Sequence, residues 1–150
     1  MAIPEPIETF LLRLGFDYTP VRTPDATSRA DTEPEWTRTH VFVADEATPV
    51  LAVTQAACWV DAERLRQIAG VERLRPATGE ELAQFYPESE PGAMPPLGPL
   101  YGHGVFVDEA LARQPYVTFS AGTAADAIRM RYGDFGALVH PTVGRFARPA

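Results

Sequence analysis

Lysine is absent from this 150-residue sequence, and cysteine occurs once, as Cys58. The first absence excludes Schiff-base chemistry and any side-chain amine serving as a general base. The second excludes an internal disulfide and fits a reducing cytoplasm, where the protein is expected to act. No apolar run approaches the roughly 20 residues that a membrane helix needs. The first residues, Met1-Ala2-Ile3-Pro4-Glu5-Pro6, offer neither a basic nor an apolar leader region, so export is not expected. Positive charge is scarce as well. The 13 basic residues are all arginine and face 20 acidic ones, for a net charge of −7. That balance argues against sequence-independent binding to DNA or RNA, while leaving room for local arginine patches. There is no internal repeat and no low-complexity tract.

What remains is ordinary globular material, 45% hydrophobic and 22% charged, of a length that fits one domain spanning residues 1–150. Glu5–Gly15 reads as a short amphipathic helix, with Pro6 in its first turn and Gly15 just past its end. Phe16–Arg22 alternates like a strand, and the polar stretch Thr23–Trp36 reads as a loop. Thr39–Ala44 and Val50–Thr54, β-branched and joined by an acidic turn at Asp45-Glu46, predict a hairpin. Asp61 is placed to cap a helix that Gly70 closes, with Leu65, Ile68 and Ala69 as its apolar stripe. Val71–Arg75 reads as a short strand. Thr78-Gly79-Glu80-Glu81 matches a capping box opening a helix through Phe85. Gly104–Asp108, Tyr116–Ser120 and Ala127–Arg131 read as strands, Glu109–Ala112 as a helical piece capped by Asp108, and Asp134–Val139 as a closing helix. Strands with short helices between them predict an α+β fold with a mixed, curved, barrel-like sheet.

The stretch Pro91-Gly92-Ala93-Met94-Pro95-Pro96-Leu97-Gly98-Pro99 stands out. Glycine lets a ligand approach the backbone and proline stiffens it, so such a loop can hold a small group with main-chain atoms. The bland alternative is a surface turn. His103, in Tyr101-Gly102-His103-Gly104, extends this loop and is a candidate to face a pocket, although an exposed turn histidine is the simpler reading. His40, His103 and His140 are too widely spaced for a metal-ligand pattern, so no metal is expected. Cys58 beside Trp59 reads as a small buried thiol. Arg64, Arg66, Arg73 and Arg75 form either a patch for an RNA end or ordinary solvated faces. Arg129 and Arg131 share one strand face and are expected to pair at the surface with Asp134.

Taken together, four segments carry a resemblance to a known family. They are the Thr39–Thr54 hairpin leading into the helix at Asp61, Val71–Ala77 before the Thr78 helix, Gly92–Gly98, and Val107–Leu111 through Phe119–Gly122. The chain from about Arg38 onward resembles the YbaK/prolyl-tRNA synthetase-associated editing domain. The resemblance implies a metal-free, cofactor-free aminoacyl-tRNA deacylase that hydrolyses the ester of a mischarged tRNA, of the tRNA-Pro type, carrying a small amino acid. Its partner is then the tRNA acceptor end, with neither DNA nor a membrane involved. By the same resemblance Arg38 and Gly92 are the catalytic positions. Thr39, Pro96, Gly98, Ala121, Gly122 and Thr123, with His103, would contact substrate. Arg38 stands where the family has lysine, keeping the charge without a titratable amine. A non-catalytic module sensing an amino acid, a nucleotide or an aminoacyl-tRNA end is the alternative. A third reading, a hydrolase built on Cys58, requires that thiol to lie beside His40 or His103. Oligomeric state is open.

Overall fold

The structure, a computed structural model, describes residues 5–22, 34–90, 92–123 and 125–149. Most of the expected Thr23–Trp36 loop, and Pro91 of the Pro/Gly stretch, lie outside the described residues. In chain order the elements are α1 (Glu5–Leu14), β1 (Thr19–Arg22), β2 (Thr37–Ala44), β3 (Thr48–Gln55), β4 (Cys58–Val60) and α2 (Ala62–Ala69). There follow β5 (Leu74–Pro76), α3 (Gly79–Phe85), α4 (Gly98–Tyr101), β6 (Gly104–Asp108) and α5 (Glu109–Ala112). The chain closes with β7 (Tyr116–Ser120), β8 (Asp126–Arg131), α6 (Tyr132–Val139), β9 (Thr142–Gly144) and β10 (Ala147–Pro149).

Strand β3 is the axis of the fold. Its run Val50-Leu51-Ala52-Val53 is buried on both faces, as a continuous apolar run in a central strand requires. Leu51 and Val53 enter a large cluster with Val105, Val107, Val117, Phe119, Ile128, Met130 and Phe135. Val50 and Ala52 face the other way, toward Phe42, Val60, Leu65 and Phe146. The five-stranded sheet runs β5-β2-β3-β6-β9, antiparallel through β3 and parallel from β3 to β9. A second sheet, β1-β8-β7, is antiparallel throughout, and β10 pairs with β4.

The α+β expectation is borne out, but the barrel is not closed: the described strands divide among three sheets. One parallel bridge, Trp36 to Thr118, links the start of β2 to β7. From Phe42 onward β2 spends that same edge on β5 instead, so the two larger sheets part. Local signals set the helices as read. Asp61 accepts from the Arg64 amide, Gly70 closes α2 in the left-handed region at φ 69°, and Thr78 with Glu81 forms the capping box. The strand expected over Val71–Arg75 starts later, at Leu74. The Asp45 carboxylate takes the amides of Glu72 and Arg73 before any ladder can. Likewise the strand read from Phe16 begins at Thr19. The short elements β4, α4, β9 and β10 were not expected. Asp108 caps α5 through the Ala110 amide, and its other oxygen accepts from Phe146 and Ala147, tying β10 down.

Candidate functional site

The Pro/Gly loop and the end of β7 form one unit. Gly92 is exposed at φ 82°, and a side chain there would meet nothing, so backbone conformation alone demands glycine. The Glu90 amide donates to the Gly122 carbonyl at 2.7 Å, and the Gly122 amide donates to the Ala93 carbonyl at 2.9 Å. Gly122 itself is buried at φ 99°. Next to it, the Ala121 amide bonds the Asp126 carbonyl and the Thr123 hydroxyl donates to the Asp126 carboxylate. The structure thus brings Gly92, Gly122 and Thr123 together.

Other expected pocket residues lie behind this unit. Ala121, Met94 and Leu97 are core. Pro96 is buried. Gly98 is a packing glycine, since a Cβ there would lie 2.2 Å from the His103 carbonyl oxygen and 2.4 Å from the Val105 side chain. His103 is held at its Nδ1 by the Tyr86 hydroxyl, 2.7 Å away, and stacks on Tyr101. Burial pushes the Tyr86 phenol up, keeping it a donor, and pushes His103 down. His103 therefore anchors the far end of the loop. An apolar cavity of about 230 Å³ lies between Leu82, Ala83, Tyr86 and Met94.

Arg38 lies near the start of β2. At the isolated Trp36–Thr118 bridge β2 and β7 run parallel; Arg38 lies two residues beyond it on β2, and Ser120, the last residue of β7, two residues beyond it on the other chain segment. Among the described residues no ladder fills this edge of β2 from Thr37 to His40. Arg38 is exposed and makes no hydrogen bond or ion pair with a described residue. The hairpin register pairs it with Thr54, on the face of β2 that carries His40 and Phe42. Thr39 falls on the opposite face with Val41, toward the large core cluster, and is not brought beside Arg38.

The bridge is braced from below. Glu35 accepts from the Thr118 hydroxyl and from Arg129, whose guanidinium lies 3.8 Å from the centre of the Tyr116 ring. Burial opposes the Glu35 charge, but these hydrogen bonds and the Arg129 cation outweigh it and hold the carboxyl below its usual range. The surface pairing expected of Arg129 thus goes to Glu35. Arg66 and Arg75 are committed to Glu63 and Glu81, so they do not form a free RNA-facing patch.

Sequence reasoning missed the half-buried His40, whose Nε2 lies 3.0 Å from the Thr54 hydroxyl. The alternation that sets it on the Arg38 face was available, but the partner depends on hairpin register. Burial first, and then the charge of Arg38, lower its pKa to about 4. Cys58 gains no histidine: His40 bonds Thr54 and His103 bonds Tyr86. Burial and nearby Asp108 push the thiol up, away from nucleophilic thiolate. His140 is an exposed left-handed residue ending α6. No group of three or more potential metal ligands occurs among the described residues, and no described helix is long and apolar enough to cross a membrane.

A model of the aminoacyl-tRNA editing domain matches residues 20–138. The chain belongs to the aminoacyl-tRNA editing domain family. That match spans the loop, the Gly122 clamp and the Arg38 strand, and it bears out the resemblance drawn from the sequence. The fold of this editing domain recurs in solved structures. One, of a candidate trans-editing enzyme for prolyl tRNA synthetase, has a TM-score of 0.81 at 23% identity, with 95% of each chain covered. A scaffold protein used for epitope backbone grafting has a TM-score of 0.82 at 20% identity, covering 95% of this chain and 96% of that one. A candidate signal transduction protein from Marinobacter aquaeolei VT8 has a TM-score of 0.75 at 19% identity, and the editing domain covers 31% of it. A search of curated proteins returned no match.

Proposed function

We propose that this editing domain, acting as one unit over residues 1–150, is a trans-acting aminoacyl-tRNA deacylase. It removes a small amino acid from mischarged tRNA of the tRNA-Pro type in the cytoplasm. The observation that carries the reading is the Gly122 clamp on the Gly92 loop, at the end of the strand β7 that is bridged to the start of β2, the strand presenting Arg38. An aminoacyl ester is already activated, so orienting a water and stabilising the oxyanion supply much of the acceleration. Gly92, Gly122 and Thr123 form a wall without bulky side chains, which suits a small aminoacyl group. Pro96, Gly98, His103 and Ala121 stiffen that wall from behind, and Thr39 fixes β2 on the core side. Arg38 supplies a permanent cation for the ester carbonyl or a terminal phosphate, and it takes no proton at neutral pH.

The deciding experiment follows ester loss when the purified protein is incubated with tRNAs mischarged with alanine, serine or cysteine. Hydrolysis of at least one, slowed at least roughly tenfold in Arg38→Ala, is expected. Binding without hydrolysis of any would replace the deacylase by a sensor module, a reading favoured by arginine in the family's lysine position.

A further inference from the structure

Resting on the deacylase reading, we propose that His40 is a catalytic residue of the site, whose Nδ1 holds the attacking water beside the Arg38 guanidinium. Thr54 has one hydroxyl proton and gives it to the Gln55 carbonyl, 2.9 Å away. With that proton on the Gln55 carbonyl, the hydroxyl oxygen offers His40 its lone pairs, the arrangement that goes with the ring proton on Nε2. Nδ1 is then a bare acceptor, and no described residue donates to it. Thr54 is completely buried, so the imidazole is fixed at one end by an immobile partner.

Position adds the second half. His40 and Arg38 are two residues apart on one face of β2 and opposite Ala52 and Thr54 of β3. Gly122, the clamp of the Gly92 loop, follows the end of β7, the strand bridged to the start of β2 at Trp36–Thr118. Among these neighbours Arg38 alone is charged, and with burial it keeps the ring neutral at physiological pH. A neutral acceptor beside a fixed cation disfavours an ammonium and suits a water, which donates one O–H to Nδ1. In the reaction the water oxygen bonds to the ester carbonyl carbon and the carbon–oxygen bond to the ribose breaks. One water proton ends on the ribose oxygen and the other leaves from the new carboxyl group. His40 orients the water throughout and gains no net proton.

Two substitutions separate its two nitrogens. Gln at position 40 can keep a donor to Thr54 but lacks the Nδ1 acceptor, and Asn can keep an acceptor near Nδ1 but loses Thr54. His40→Gln is expected to lower kcat by about tenfold to a hundredfold with little change in KM, and His40→Asn to retain more activity. A His40→Gln variant as active as wild type overturns the proposal. A direct reading comes from 15N NMR of the wild type, with a non-hydrolysable amide analogue of alanyl-adenosine as the probe. His40 is expected to be neutral and Nε2-protonated at pH 6, with its Nδ1 signal moving on addition of the probe. A ring protonated on Nδ1, or an Nδ1 signal indifferent to the probe, overturns the assignment. If the wild type hydrolyses no mischarged tRNA, the deacylase reading falls by itself and the NMR result still decides His40.

Discussion

Gly122 donates its amide to the carbonyl of Ala93 at 2.9 Å, and with the Glu90 amide on its own carbonyl it clasps the Pro/Gly loop from both sides. It does so at φ 99°, a conformation that side chains resist. Gly122→Val is expected to cost about 1–3 kcal/mol and to depress deacylation further than the stability loss explains. Denaturant titration together with ester-release kinetics checks both halves. Loss of stability with full activity in the folded fraction would detach the clasp from the site.

Gly92 and Gly98 look alike in the sequence and should respond differently. At Gly92 a methyl group meets open space, so Gly92→Ala carries only the left-handed backbone penalty, about 1–2 kcal/mol. At Gly98 the methyl strikes the His103 carbonyl, and overpacking against backbone adds a cost on the order of 1–3 kcal/mol or more. Thermal melts of the two variants should differ in size, and the Gly98 variant should also disturb the Tyr86–His103 pair.

This contrast also marks where the sequence stops being legible. Capping at Asp61, Thr78 and Asp108 was readable because each cap acts on amides two or three residues away. The Thr39–Thr54 hairpin was readable from its β-branched runs. Gly98 passed for a ligand-facing glycine because its need for space is created by His103 and Val105, which arrive only when β6 packs. The three-residue strands β4, β9 and β10 are too short to carry a pattern and exist through distant partners. Both ends of the clasp were named from sequence, but the hydrogen bonds joining them, and the His40–Thr54 pair, required registers that no local motif encodes.

Arg38 is exposed and lacks an ion pair to any described residue, so its removal should spare the fold. Arg38→Ala is expected to change unfolding free energy by no more than about 0.5 kcal/mol, the range of ordinary surface changes. Its deacylation rate should fall at least roughly tenfold, the equivalent of one charge-assisted contact. Arg38→Lys should preserve part of the rate. Equal rates for the alanine variant and wild type would remove Arg38 from the chemistry.

His40 makes stability depend on pH in mildly acidic solution. Its folded pKa of about 4 lies below the 6.5 of a free histidine, so between those values the unfolded chain binds the extra proton. The contribution is complete above pH 6.5 and is lost as pH falls toward 4, amounting to about 3 kcal/mol over the whole window. Urea midpoints of wild type and His40→Gln, compared from pH 7 to 4.5, should lie closer together at the acid end. Parallel curves would show that His40 does not carry this dependence. Depressed carboxylates such as Glu35 add a loss in the same direction at lower pH, as the acid that Arg129 and Thr118 hold ionised becomes protonated.

The Leu51 side chain is fully buried at the axis of the fold, and Leu51→Ala should cost about 2–5 kcal/mol. A loss below about 1 kcal/mol would mean that β3 is not the centre on which the larger cluster is assembled.

Asp108 divides its two oxygens between the first turn of α5 and a segment 38 and 39 residues further on. A single carboxylate is therefore a shared buckle for two distant parts of the chain. Slipping the tail strand loose bares Phe146's seat and strands two amide donors at once, so the amides of Phe146 and Ala147 should exchange with deuterium in step. Cutting the chain after Gly144 would then do more than shorten it: the apolar hollow between Leu65 and Val60 would open to water.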